Sequence, residues 1–451
     1  MKRVTIGCGA GFAGDRFDAC LPVIEALAEH DGPRYLMFEV LAERTLALAQ
    51  QHRQKDPALG YSPYLDHYIS RALGPALSAD VRIVSNMGAA NPVAAAHRVQ
   101  DLARGFGFAV PRIAVVLGDD LTSIMSEDEI RRAPSMEGTD LAQRPLIAAN
   151  AYLGAKSVAA ALATGAEIVL VGRTTDSALA LGPLIHEFGW GPEAWDHLAA
   201  GVVAGHLLEC GAQVTGAYFA DPGFKDVPDL ARVGFPIANV SEEGSIVITK
   251  PPGTGGCVTK ATVTEQLLYE MHDPAAYLTP DVTADITEVT LSEEASDRIK
   301  IAGVRGHPAP ETLKATICVE NGWMGEAEIS YAGPNALARA RLAGEVVAER
   351  LAMHGVNQRP RVEIIGAGSV LTGGVATDMR PDGDYRMRVA MLAETKEGAQ
   401  MVADEVLSLL CSGPAAGGGV RSHVSAQMAT ASILVPRDRV EAQVQIVEVN
   451  P

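Results

Sequence analysis

Long uninterrupted apolar runs are missing from this 451-residue chain, which removes the simplest membrane-spanning readings. The most apolar stretch of its Ala-rich middle, Ser157–Ala166, runs straight into Glu167 and turn signals. Basic charge is also scarce: 37 Lys and Arg face 55 Asp and Glu, a net charge of −18. Nucleic acid and anionic membrane surfaces need a concentrated basic face, so neither is expected as a partner. A small anionic substrate stays open, because a few Arg and amide groups can reverse the local potential. The six cysteines, at 8, 20, 210, 257, 318 and 411, form no CxxC pair. That pattern fits reduced intracellular thiols better than a disulfide framework or a zinc ribbon. The amino terminus is basic at Lys2-Arg3, but Asp15-Arg16 breaks its small-residue run, so it reads as a strand and loop, not a signal peptide. No short repeat and no charged tail is present. The chain reads as cytoplasmic.

What is there is a pattern of strands ending in polar, glycine-bearing loops. Val4-Thr5-Ile6, Val81–Val84, Ile113–Leu117 and Ile168–Val171 are apolar runs in the first 175 residues. They lead into loops at 7–15, 85–92, 118–120 and 172–176, followed by helical spacing. Near-continuous β-branched runs suit strands buried on both faces. The expectation is an α/β fold with a doubly wound, mostly parallel sheet over residues 1–284, its loops gathered in one cleft at the carboxyl edge. A second strand is expected at Tyr35–Phe38, ending at Glu39, and Ala-rich helices at Asn91–Arg104 and Gln143–Leu162. Ser126–Met136 reads as a solvated insertion. From about Asp285 the order changes. Strands at Ile286–Leu291, Leu313–Glu320 and Glu326–Tyr331, a helix at Pro334–His354, strands at Arg361–Ile365 and Tyr385–Ala393 and a helix at Lys396–Cys411 precede strands at Ala431–Val435 and Val444–Val449. Residues 285–451 are thus expected as a smaller α+β domain with an antiparallel sheet, split-βαβ in style.

Gly9-Ala10-Gly11-Phe12-Ala13-Gly14 is a formal GxGxxG between strand and helix, and Glu39 ends the next strand. A dinucleotide site would follow, except that Asp15 puts negative charge where a pyrophosphate should dock. Gly9 and Gly11 are therefore candidates for some other ligand, or for a strained turn. Asn86 and Gly88 offer a carboxamide and a close backbone approach, while Asn91 before Pro92 reads as a helix cap. Asp119 and Asp120 can hold a divalent ion, act as acid and base, or simply cap; no metal or cofactor is specified. Arg173, with Thr174 and Thr175, suits a carboxylate or phosphate, and Asp176 reads as a helix cap. His206, Glu209 and Cys210 share one helix face; Glu209 can orient His206 for proton transfer, or His206 can merely neutralise the helix end. Asp119, His206 and Glu209 are the catalytic candidates.

Taken together, Gly-Cys-Gly-Ala-Gly-Phe-Ala-Gly-Asp-Arg at 7–16, Asn-Met-Gly-Ala-Ala-Asn-Pro at 86–92 and Gly-Arg-Thr-Thr-Asp at 172–176 resemble the acyclic terpene utilisation AtuA family. So do Gly-His-Leu-Leu-Glu-Cys-Gly at 205–211, Gly-Thr-Gly-Gly at 253–256 and Glu-Gln-Leu-Leu-Tyr-Glu-Met at 265–271. The resemblance implies catabolism of acyclic terpenes or related branched acids, beside acyl-CoA carboxylating enzymes, and supplies no catalytic residue. The leading expectation is an enzyme acting on a small carboxylate or acyl-CoA by lyase or hydratase chemistry. An NAD(P)-dependent oxidoreductase and a non-catalytic binding subunit of an acyl-CoA assembly are the alternatives. A homo-oligomer is the base-rate expectation.

Overall fold

The computed structural model describes residues 2–138, 144–370 and 382–448. Strands of the first half are β1 (Arg3–Ala10), β2 (Arg34–Phe38), β3 (Arg82–Ser85), β4 (Ile113–Leu117), β5 (Leu146–Ala151), β6 (Ile168–Val171), β7 (Ile237–Ser241) and β8 (Ile246–Thr249). Then come β9 (Tyr277–Leu278), β10 (Thr283–Asp285), β11 (Thr290–Ala295), β12 (Arg298–Ala302), β13 (Arg305–His307), β14 (Thr312–Ala332), β15 (Arg361–Ile365), β16 (Asp384–Ala393), β17 (Gly418–Pro436) and β18 (Gln443–Val447). The helices are α1 (Cys20–Ala28), α2 (Glu43–Lys55), α3 (Leu65–Ser78), α4 (Pro92–Gly105), α5 (Glu127–Arg132), α6 (Ala155–Ala163), α7 (Ala178–Phe188) and α8 (Trp195–Glu209). Three more follow: α9 (Lys260–Leu268), α10 (Ala336–Met353) and α11 (Lys396–Ser412). Among the described residues no helix is long and apolar enough to cross a membrane.

The chain forms two compact units, Met1–Cys318 with Thr430–Pro451, and Val319–Ala429. The sequence reading drew its line at 284/285, by element order; packing groups the residues differently. β11 and β12 pair onward from β8, and β18 returns to pair with β4, so both flanks of the second unit belong to the first.

The first unit is built on a ten-stranded sheet of order β11-β12-β8-β7-β1-β2-β3-β6-β4-β18. Its centre, β1-β2-β3-β6-β4, is parallel throughout, and antiparallel strands extend it on both sides. Every residue of β6, and of β1 beyond Arg3, is buried, as strands covered on both faces require. One set of helices, α1, α3 and α4, packs together; so does another, α6, α7 and α8. All five parallel strands point the same way, so the loops after Ala10, Phe38, Ser85, Leu117 and Val171 leave from one edge. One expectation fails here. Leu146–Ala151 is strand, not the start of a helix: Ala has high helix propensity, but pairing with β14 overrides it. Ser126–Met136 is mostly exposed, as expected of a solvated insertion, and holds α5, started by a reciprocal Ser126–Glu129 capping box.

The second unit runs β14-α10-β15-β16-α11-β17, the β-α-β-β-α-β order of a split βαβ fold, with strand order β15-β16-β14-β17. Two strands were expected across Leu313–Tyr331. One strand passes through instead, with Gly322 inside it at φ +72°. Likewise β17 begins at Gly418, well before the strand expected at Ala431–Val435. The strand expected at Val444–Val449 is present as β18 to Val447; Val449 lies outside the described residues.

Candidate active site

Glycines in the first loop serve packing. A Cβ on Gly9 would stand 2.5 Å from the Phe38 ring, and one on Gly11 would stand 2.3 Å from the Gly211 amide nitrogen. The loop is closed by its own residues. Asp15 accepts from the Gly11 N–H at 2.9 Å and the Arg16 N–H at 2.8 Å, while the Tyr68 hydroxyl donates to the Asp15 carbonyl at 3.1 Å. Helix α1 starts only at Cys20, so no helix N-terminus meets the end of the glycine run. The GxGxxG pattern therefore lacks the geometry that gives it meaning in dinucleotide sites. Gly88 is likewise a close-approach residue, since a Cβ there would fall 2.6 Å from the Val171 carbonyl.

The other strand-end loops converge on one polar network. Asn86, after β3, accepts from the Val40 N–H at 2.8 Å and donates to Glu39 Oε1 at 2.8 Å; Glu39 also accepts from the Leu41 N–H at 2.9 Å. Burial, then the negative charge of Asp176, push the Glu39 carboxyl up to about 8, against the pull of Arg173 and the Asn86 bond. Glu39 thus keeps its proton at neutral pH.

Arg173, after β6, is 1% exposed and points inward. It donates to the Leu41 carbonyl, to the Thr174 carbonyl through Nε at 2.9 Å, and to Asp176 Oδ1, and it lies 4.5 Å from the centroid of the Tyr152 ring. A buried guanidinium needs its donors met, and here protein acceptors meet them. The arginine expected to hold a substrate anion is therefore committed to Asp176 and two backbone carbonyls. Asp176 is the reachable member: its side chain is 37% exposed. Lys314 also lies near Tyr152, 5.0 Å from the ring centroid, 45% exposed and 3.7 Å from Glu43. The Tyr152 hydroxyl donates to Glu43 Oε1 at 2.5 Å.

Asp119 and Asp120 part ways. Asp119 is buried and accepts from the Arg173 N–H and from Asn150 Nδ2, both at 2.9 Å, which pins the β4 and β6 loops to the end of β5. Burial raises its carboxyl to about 6, against those bonds. Asp120 turns outward and caps Thr122. Thr174 donates to the Leu153 carbonyl at 2.7 Å; the Thr175 hydroxyl is buried without a partner among the described residues. Among those residues no three His, Cys, Asp or Glu side chains are grouped as a metal site.

His206 and Glu209, in the last turn of α8, do pair, Nδ1 to Oε1 at 2.9 Å. Burial pulls the imidazole down, but the Glu209 bond and charge, with the Gln266 and Leu267 carbonyls at the end of α9, bring it above its ordinary value. The Tyr277 ring lies 5.5 Å away, centroid to centroid. Burial raises both Glu209 and the Tyr277 phenol, Glu209 adds to the latter, and the charge of Asp176 contributes to both, so the two centres sense each other. Cys210 is pushed up by burial and Glu209, which makes it a poor nucleophile.

Sequence reasoning missed Tyr152, Asn150, Lys314 and the proton-holding role of Glu39. The first three stand on or beside β5 and β14, where a helix and a hairpin had been expected. Glu39 did carry a signal, as a carboxylate ending an apolar strand at the carboxyl edge.

No curated protein and no solved structure matches this chain. The model of the acyclic terpene utilisation family protein AtuA matches residues 4–446, nearly its whole length, and the chain belongs to that family.

Proposed function

We propose that the carboxyl edge of the first unit is the active site of a cytoplasmic enzyme of acyclic terpene or branched-acid catabolism, moving a proton on a small carboxylate or acyl-CoA in a lyase or hydratase reaction. Family membership supports the pathway class. The observation that carries the chemistry is the carboxyl pair: burial first, and then the charge of Asp176, raise the Glu39 carboxyl so that it holds its proton at neutral pH. Such a pair shares one proton, so its exposed member can take a proton from carbon next to a carbonyl and return it to a leaving hydroxyl. In this reading Asp176 meets the substrate and Glu39 stores the proton behind it. Asn86, Arg173 and Asp119 position the pair, while Gly9, Gly11 and Gly88 let the loops close.

Lys314 is a solvent-reachable cation for the substrate's anionic group, and Thr174-Thr175 shape the floor. His206 and Glu209 form a second proton-carrying pair within electrostatic reach. The reading takes the parallel strands as a doubly wound sheet, whose ligands collect at the carboxyl ends. The nicotinamide alternative loses its main support with the self-closed glycine loop.

Deuterium wash-in tests it without knowing the full reaction. The protein is incubated in D2O with a panel of branched acyl-CoA thioesters and their free acids, and exchange beside the carbonyl is read by proton NMR. Exchange with at least one panel member, lost in Asp176→Asn, is the expected result. No exchange with any of them, or equal exchange by a folded Asp176→Asn protein, overturns the proposal.

A further inference from the structure

A cavity of about 290 Å3 opens in the first unit, between the carboxyl-terminal half of α2, the segment after β4, and β5. It is lined by Gln50, Gln54, Asp120, Thr122 and Glu127, and by an apolar wall that includes Met125, Ile130, Leu146 and Ala148. Among the described residues no Lys, Arg or His lines it. Asp120 faces it with a carboxylate held in place by the Thr122 amide and hydroxyl, at 3.0 and 2.6 Å. Glu127 is already paired with Arg131 across one helical turn.

One buried carboxamide at this cavity has unused capacity. Gln50 is 7% exposed, lines the cavity, and its side chain has no hydrogen-bond partner among the described residues. Asn150, two residues beyond Ala148 on β5, lies behind the wall: its amide nitrogen donates to Asp119, and its backbone forms an isolated β-bridge with Asp120. Buried polar groups are normally paired, and unpaired ones point to a partner of complementary chemistry. Here an unpaired carboxamide, whose oxygen can accept, stands beside a carboxylate and an apolar wall, with no cation among the described lining residues.

We infer that this cavity binds a small aliphatic ammonium compound, its charged head donating to Asp120 and the Gln50 side-chain oxygen and its chain lying over Met125, Ile130 and Leu146. The volume suits about six to ten heavy atoms, the low end for ligand pockets. A carboxylate of the same size would face Asp120 and Glu127 with no cation among the described lining residues. None of the residues given to the ammonium ligand takes part in the proton-transfer proposal.

The test compares n-butylammonium, 1-butanol and butyrate, three probes with similar chains and different heads, by saturation-transfer NMR and calorimetry on the full chain. Butylammonium is expected to bind at millimolar affinity or better, butanol at least tenfold more weakly, and butyrate not at all. Gln50→Leu and Asp120→Asn should each weaken butylammonium about tenfold, and Ala148→Phe should abolish its binding by filling the space. Equal binding of butylammonium and butyrate, or no binding of butylammonium at about 10 mM, overturns the inference. So does unchanged binding by a folded Ala148→Phe protein. Should a variant fail to fold, the three-probe contrast on the native chain decides alone.

Discussion

Replacing Gly11 by alanine separates a packing glycine from a ligand-binding one. The added Cβ would stand 2.3 Å from the Gly211 nitrogen, 2.4 Å from the Cys210 carbonyl carbon and 2.8 Å from Gly211 Cα. All three are backbone atoms, so no side-chain rotation relieves the clash. Either the loop or the end of α8 must move, and movement disturbs the Gly11–Asp15 bond as well. Overpacking of this kind costs about 1–3 kcal/mol, and the backbone origin of the clash puts Gly11→Ala at about 3. With a urea m-value of about 3 kcal/mol/M, the unfolding midpoint should fall by about 1 M. Gly14→Ala is the internal control. Its Cβ would meet only the tip of the exposed Phe12 ring at 3.1 Å, so its midpoint should shift by less than about 0.2 M. Trp190 and Trp195, both in the first unit, provide the fluorescence signal. A Gly11→Ala protein as stable as the native one would refute the reasoning and return the loop to a ligand-cradling role.

Glu39→Gln should flatten the dependence of stability on pH. The folded carboxyl titrates at about 8 and the ordinary value is 4.5, so across that window the folded chain holds a proton the unfolded chain has released. Stability contributed by that proton is full below the lower value and is lost as pH rises to about 8; melting temperatures at pH 5 to 9 for both proteins check this. Arg173→Lys should destabilise by about 1–3 kcal/mol, because an ammonium cannot serve the Leu41 carbonyl, the Thr174 carbonyl and Asp176 together; denaturant unfolding measures it. His206→Gln should leave substrate binding nearly unchanged and slow proton exchange by about 10²–10⁴, read by the deuterium assay; full exchange in a folded variant would return residues 205–211 to a packed helix end.

The parallel centre was legible because burial on both faces writes itself as apolar runs: Ile113–Leu117 and Ile168–Val171 are strands to the residue. The shared loop edge followed from those strands, and Asn86, Asp119, Arg173 and Thr174 do meet there. What each side chain does there was not legible. Arg173 looks the same in sequence whether it faces a ligand or Asp176, and only the positions of Leu41 and Tyr152, remote in the chain, decide. Leu146–Ala151 was misread because local Ala propensity favours helix, while its strand pairing is with β14, more than 150 residues away. Helix α3 and strand β7 were missed too; α3 carries Gly74 and Pro75 inside it, the two residue types of lowest helix propensity.

The central claim is that a carboxylic acid, not a carboxylate, stands at the carboxyl edge at neutral pH. Carbon-13 NMR of protein labelled at the glutamate side-chain carboxyls, compared between the native chain and Glu39→Gln, observes it directly. The account predicts that the substitution removes one resonance, and that this resonance titrates near pH 8. A Glu39 resonance already fully ionised at pH 6 would contradict the account.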